Sequence, residues 1–201
     1  MINGWHVPES DVSGFKYIIS ESFALPQVLR HCKDFRTCVQ AGGNIGIYPK
    51  LLAKDFDRVL TFEPHPENYQ ALCMNTKDIG KISRFQMGLG KEVKRAGMHQ
   101  NLKGNMGAIR VSEGEDISIV DLDGLFLNDV DLIYLDIEGY ELFALQGAEK
   151  TIEKTRPVIA VELNGLAEKF GSTDQAVRDW LTKRSYKQVT RVGHDYVYVS
   201  V

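Results

Sequence analysis

TCVQAGGNIGIY, residues Thr37 to Tyr48, joins a short apolar run to three glycines within five residues and then passes into a helical pattern. A buried strand that turns this sharply brings its backbone close to whatever lies beyond it, because glycine alone combines tight turns with close approach. The next strand-like run, Arg58 to Phe62, ends in Glu63, twenty-one residues beyond Gly42. That is close to the roughly 20-residue offset at which an acid meets the ribose of a nucleotide-like ligand. Two neighbouring strand ends are therefore expected to share one ligand, with Asn44 capping the helix that follows the glycines.

Working outward, the same strand-helix unit repeats. Pro26 to Phe35 reads as a helix, with Pro26 in its first turn, and helices are expected over about Asn44–Asp55 and Glu67–Thr76. Ile82 to Met87 is a third strand. Gly88 to Gly114 has no helical period and reads as an irregular, hairpin-like insert, Val93–His99 against Met106–Val111, with Ile117–Val120 a separate short strand. Val130 to Leu135 is apolar except for Asp131, as in a strand buried on both faces, and ends in Asp136-Ile137-Glu138-Gly139. One helix is expected from Tyr140 to Lys154, stopping before Pro157. Val158–Val161 then leads to Glu162-Leu163-Asn164, Ser172 or Thr173 caps a helix to about Lys183, and Tyr186–Val192 with Tyr196–Val201 forms a closing hairpin.

This alternation specifies an α/β fold: a doubly wound, mostly parallel sheet with an antiparallel C-terminal hairpin. Residues 1–36 are expected to form an N-terminal arm, with one strand at Phe15–Ile19, and a helix; residues 37–201 form one domain. Ligands of such sheets sit beyond the carboxyl ends of the strands, where Gly42 to Gly46, Glu63, Asp136 and Glu162 all fall.

Composition excludes several classes. Lys and Arg total 24 against 27 Asp and Glu, a net charge of −3, so no general attraction to nucleic acid is encoded. Three cysteines without a CxxC pair suit reduced thiols in the cytoplasm. No apolar run approaches the roughly 18 residues of a membrane helix, so no membrane partner is expected. Without an HxxxH or similar spacing, no metal site is expected either.

With those residues placed, the chain resembles the FkbM family of S-adenosylmethionine-dependent methyltransferases. Gln40-Ala41-Gly42-Gly43-Asn44-Ile45-Gly46, Phe62-Glu63-Pro64-His65-Pro66-Glu67-Asn68 and Asp136-Ile137-Glu138-Gly139-Tyr140-Glu141 match its segments in order, and LQGA from Leu145 and VIAVE from Val158 match the run that follows. The resemblance implies a Rossmann-like, class I methyltransferase fold with S-adenosyl-L-methionine as cofactor, held by Gln40, Gly42, Gly43, Asn44, Gly46, Glu63 and Pro64. It further implies methyl transfer to an oxygen of a small molecule or glycan. Gln40 departs from the family, where an acid is usual, and Tyr134 stands where many members have lysine.

Methyl transfer to a hydroxyl needs alignment and a proton acceptor. Asp136, with Glu138 on the same side if the segment is extended, is the candidate base or orienting group; the same pair also suits the start of a helix. Glu162 and Asn164 either bind acceptor hydroxyls or cap Leu166 to Phe170, and His65, assigned to acceptor binding, and His194 are candidate bases or solvated loop histidines. Two rivals remain: a methyltransferase-fold binding protein with weak or no activity, kept open by Gln40 and Tyr134, and a nicotinamide-dependent oxidoreductase, for which the glycine spacing lacks Gly-x-Gly-x-x-Gly.

Overall fold

A computed structural model of the chain describes residues 1–2, 4–9, 24–100 and 109–201. In chain order the elements are α1 (Leu25–Leu29), β1 (Thr37–Ala41), α2 (Ile47–Leu52), β2 (Arg58–Phe62), α3 (Pro66–Thr76), β3 (Ile82–Phe85), β4 (Gly88–Leu89), β5 (Lys94–Gln100) and β6 (Ile109–Val120). There follow β7 (Val130–Leu135), α4 (Glu141–Gln146), α5 (Glu149–Thr155), β8 (Val158–Glu162), α6 (Asp174–Lys183), β9 (Tyr186–Val192) and β10 (Asp195–Ser200). The described strands form a seven-stranded sheet in the order β3-β2-β1-β7-β8-β10-β9 and a three-stranded sheet in the order β4-β6-β5.

Strands β3, β2, β1, β7 and β8 are mutually parallel, and β10 runs antiparallel to both β8 and β9. The expected doubly wound sheet with a closing antiparallel hairpin is therefore present. What the sequence did not reveal is that the second hairpin strand inserts between β8 and β9. Strand order reverses between β1 and β7, which is where sheets of this kind bind ligands.

Both faces are buried, and the period of two decides which residue goes where. Val39, Ile133, Leu135, Ile159 and Val161 pack beneath Ala144, Leu145 and Ile152 of α4–α5 and Val177, Trp180 and Leu181 of α6. Their neighbours Cys38, Leu132, Tyr134, Val158, Ala160 and Val197 face Val28 of α1 and Tyr48 and Leu52 of α2. Asp131, the one charge in the β7 run, falls at a register shift beside Thr37. There Arg36 donates to it from its backbone amide (2.7 Å) and its guanidinium. Desolvation pushes the Asp131 carboxyl up, but the Arg36 bonds outweigh it and hold the group below its ordinary range.

Three local expectations are corrected. Tyr140–Lys154 is not one helix: it breaks at Gly147 and Ala148. A Cβ on Gly147 would lie 1.9 Å from the carbonyl oxygen of Gly90. Asp123 receives the amides of Lys150 (2.9 Å) and Thr151 (2.8 Å), starting α5 afresh from outside the helix. Second, Ile117–Val120 is the end of the long strand β6, which pairs with β5 across a register shift at Ala96/Gly97; the insert sheet thus reaches Val120. Third, the helix after the glycines begins at Ile47, and its N-cap is Gly46, in the left-handed region, rather than Asn44. The expected strand Phe15–Ile19 and part of the expected strand Met106–Val111 lie outside the described residues. Ahead of α1, Trp5 and Val7 pack on Ile45, Ile47 and Ala71, and the Asn75 amide ties His6 to Ile45.

Gly42 tests this architecture. Its φ is +87°, and a Cβ there would sit 1.8 Å from the Asp136 carbonyl oxygen, so Gly42→Ala must both strain the backbone and part β1 from β7. Urea unfolding is expected to show a loss of about 3 kcal/mol or more; a loss below about 1 kcal/mol would contradict the packing.

Candidate active site

The turn after β1 is held by its own protein. The amides of Gly42 (3.0 Å) and Gly43 (2.9 Å) donate to the Phe62 carbonyl at the end of β2. Gln40 is buried, accepts from the Thr61 hydroxyl (2.6 Å) and donates from its amide to the Gly42 carbonyl (2.9 Å). Asn44 adopts φ 45° and its side chain accepts from the Ile45 amide (2.7 Å). A Cβ on Gly43 would meet Thr61 Oγ1 at 2.7 Å, and one on Gly46 would meet Leu72 and Thr76 at 3.0 and 3.1 Å. Each of the three glycines therefore fits a close contact within the fold.

Glu63 closes the neighbouring strand end. Its two oxygens accept from the Asn44 amide (2.7 Å) and the His65 amide (2.9 Å), so one carboxylate clasps the turns after β1 and β2. Burial raises its pKa from 4.5 to about 7 against those bonds. Pro64 lies beside Gly88 of β4. His65 Nδ1 is buried with no hydrogen-bond partner among the described residues, and burial lowers the imidazole pKa. A buried carboxyl with an unpaired ring nitrogen two residues away suits a polar, hydroxyl-bearing ligand such as a ribose at this edge.

Past the β1/β7 divide the carboxylates converge. Asp136 and Glu162 are in hydrogen-bond contact. Burial, then the charges of Glu162 and Asp195, push Asp136 well above its ordinary range. Burial and the charges of Glu138, Asp195 and Glu141 raise Glu162 to about 8, although its bond to Asp136 works the other way. Asn164 donates to Glu162 (2.8 Å) and accepts from the Leu166 amide (3.2 Å), so it both orients the carboxyl and opens the 3-10 turn Leu166–Phe170. The Tyr134 phenol donates to Asp195 (3.0 Å) and lies 3.4 Å from the Tyr48 hydroxyl.

Glu138 departs from expectation. Its φ of 59° takes the segment out of the extended conformation, so Asp136 and Glu138 do not project side by side as in a strand. The amides of Ile137 (3.1 Å) and Gly139 (3.2 Å) are held by the buried Glu141, whose pKa burial raises to about 7. Glu141 is a structural acid at the helix start. His194 is exposed and meets the site through its backbone only, its carbonyl accepting from the Leu163 amide (2.9 Å). Asp195, expected only in the turn of the closing hairpin with Gly193 and His194, instead opens β10 and stands opposite Glu162 because β10 lies next to β8. Among the described residues no group of three or more His, Cys, Asp or Glu is arranged to hold a metal ion, and no helix is long and apolar enough to cross a membrane.

A seven-stranded sheet of this order, with polar groups gathered at the β1/β7 divide, defines a Rossmann-like class I methyltransferase fold. The methyltransferase FkbM domain model matches residues 40–188, and the chain belongs to that family; S-adenosylmethionine is its cofactor. Solved structures agree on the fold. The chain is similar to a methyltransferase FkbM from Methylobacillus flagellatus KT at TM-score 0.60 and 20% identity, over 82% of this chain and 43% of that one. It therefore spans less than half of that relative. It is also similar to the N-methyltransferase NodS from Bradyrhizobium japonicum WM9 (TM-score 0.56, 12% identity, 92% and 94% covered). A third is a precorrin 8w decarboxylase from Methanobacterium thermoautotrophicum (0.52, 16%, 90% of each). No curated protein matches the sequence significantly.

The raised carboxyls set a pH dependence of stability. Glu63, Asp136, Glu141 and Glu162 stay protonated in the folded chain to higher pH than in the unfolded one, so stability falls as pH rises from about 5 to about 8. His31 and His65, lowered by burial, act oppositely near 6.5 but are fewer. Urea unfolding at pH 5.5 and pH 8 is expected to differ by about 2 kcal/mol or more in favour of pH 5.5. Asp136→Asn is expected to shrink the difference; a flat or rising profile would contradict the burial of these groups.

Proposed function

We propose that this chain transfers a methyl group from S-adenosylmethionine to a hydroxyl oxygen of a small molecule or glycan, with Asp136 at the reacting oxygen. The observation that carries this reading is the hydrogen-bonded Asp136–Glu162 pair at the two strand ends beside the topological divide. When bound, S-adenosylmethionine supplies an electrophilic methyl carbon. Glu63 and His65 would hold the ribose side, and the glycine turn would position it at the end of β1.

The acidic pair then has a definite task. Two carboxyls that share a hydrogen bond lose their protons in separate steps, and burial together with the neighbouring acids displaces both losses upward. The singly ionised pair is a stronger base than an ordinary carboxylate, and it accepts the acceptor hydroxyl's proton as the carbon–oxygen bond forms and the methyl–sulfur bond breaks, which leaves S-adenosylhomocysteine. Asn164 keeps Glu162 in place, and Tyr134 does the same for Asp195, whose charge helps keep the proton on the pair.

The test is transfer of labelled methyl to a panel of hydroxyl compounds, with S-adenosylhomocysteine binding followed separately by calorimetry. For an acceptor found this way, kcat/KM is expected to rise with pH through about 8. Asp136→Asn is expected to lower it by roughly 10² to 10⁴ while S-adenosylhomocysteine still binds. Unchanged turnover in the folded variant removes Asp136 as the base. Cofactor binding without transfer to any acceptor would instead favour a binding protein, and stabilisation by NAD but not by S-adenosylhomocysteine would overturn the methyltransferase reading.

A further inference from the structure

Between the insert sheet and the main domain lies a cavity of about 680 Å³, within the roughly 300 to 1,000 Å³ typical of small-molecule sites. One wall is β5 and β6 of the insert. The other is Tyr140, at the start of α4, with Lys169 and Phe170 at the end of the 3-10 turn. Chain connectivity fixes where this wall stands: Tyr140 is four residues beyond Asp136, and Leu166–Phe170 follows Glu162 and Asn164 directly. The two connections also touch, since a Cβ on Gly139 would meet the Leu166 carbonyl at 2.6 Å. The wall is therefore formed by the two connections that leave the acidic strand ends.

Its chemistry is the reverse of theirs. Lys94, Arg95, Arg110 and Lys169 line it, with Glu113 as the one carboxylate among the described residues, in a chain whose net charge is −3. None of the four cations is in a salt bridge among the described residues. Arg95 is partly committed, to Ser118 (3.0 Å) and the Glu115 carbonyl, and the Lys94 ammonium lies 5.9 Å from the Tyr140 ring centroid. Tyr140 meets Phe170 edge to face at 5.1 Å, so the floor between the cations is aromatic. Four like charges gathered around a single carboxylate repel one another, and an anion that enters relieves that repulsion. An aromatic floor adds affinity for the apolar face of a ring.

We propose that this cavity is the acceptor site and that the acceptor is an anionic sugar, its phosphate or carboxylate held among Lys94, Arg110 and Lys169 and its ring face laid on Tyr140 and Phe170. The proposal rests on the methyl-transfer reading above and names its substrate class. The anion anchors one end of the acceptor over the insert, away from the Asp136–Glu162 pair, which would repel it. A free hydroxyl is thereby presented to the pair. The same division of charge rejects neutral sugars of similar shape, which gain nothing from the cations.

The experiment titrates glucose, glucose 1-phosphate, glucuronate and uridine diphosphate glucose into the full chain loaded with S-adenosylhomocysteine, whose own binding is measured first. At least one anionic compound is expected to bind tenfold or more tighter than glucose, with affinity falling as salt rises. Lys169→Gln with Arg110→Gln is expected to lower that affinity tenfold or more and leave S-adenosylhomocysteine affinity unchanged. Phosphate and carboxylate probes differ only in which anion the cluster prefers, and either preference supports the site. The inference is overturned if S-adenosylhomocysteine binds and no anionic sugar does, if glucose binds equally well, if the double variant binds the anion as before, or if a short single-stranded RNA binds more tightly than every sugar. Failure of S-adenosylhomocysteine itself to bind overturns the methyl-transfer reading, and this substrate class with it.

Discussion

The approach of Gly42 to the Asp136 carbonyl governs the rest of the molecule. At that point β1 and β7, the two strands on either side of the order reversal, are drawn together past their last ladder bonds, with the Asp136 amide donating to the Ala41 carbonyl (3.1 Å). A side chain at position 42 would collide with the backbone of β7. The glycines of the opening stretch are therefore set first by the requirement that two strand ends meet. A cofactor turn at this place inherits a backbone that the sheet has already fixed, and preorganisation of that kind lowers the ordering cost of binding.

The alternation of β-strands turns that contact into a functional edge. Gln40, Thr61, Tyr134, Glu162 and Asp195 share a face with Cys38, Val59, Ala160 and Val197, so polar residues at the carboxyl ends of four parallel strands and at the amino end of antiparallel β10 come to one side. Sharing a buried edge is costly for acids, and the upward displacement of Asp136 and Glu162 expresses that cost. The fold bears it through neutral donors placed beside these groups: Asn164 for Glu162, Tyr134 for Asp195, and two backbone amides for Glu63.

How much of this was legible depended on how local the determining physics is. Strands β2 and β7 and the Thr173 cap of α6 follow from runs of apolar residues and one hydroxyl, and the structure places them where periodicity does. The break of α4 from α5 was hidden, because it depends on Gly90 and Asp123, which are distant in sequence from Gly147. Asp195 was hidden for a similar reason: only the insertion of β10 beside β8 puts it opposite Glu162. Glu138 looked like the partner of Asp136 because a strand was extrapolated one turn too far, and its left-handed φ belongs to the loop that Glu141 holds. Gln40 was read as a cofactor contact; its amide is engaged by Thr61 and Gly42, and it serves the turn first.

Tyr134 and Gln40, the two departures that the resemblance marks, are register partners on the neighbouring strands β7 and β1, and both offer neutral hydrogen bonding in place of charge. A carboxylate at position 40 would face the Gly42 carbonyl, an acceptor, where the amide now donates. A lysine at position 134 would face Asp195 as an ion, where the phenol now gives one bond and leaves the carboxylate's charge in place. That retained charge acts on both Asp136 and Glu162 and raises both. A cation at 134 would screen it and lower the pair toward ordinary carboxylate behaviour, so the phenol keeps a proton on the pair at neutral pH. A phenol at 134 thus leaves the Asp136–Glu162 pair more strongly protonated than a lysine there would.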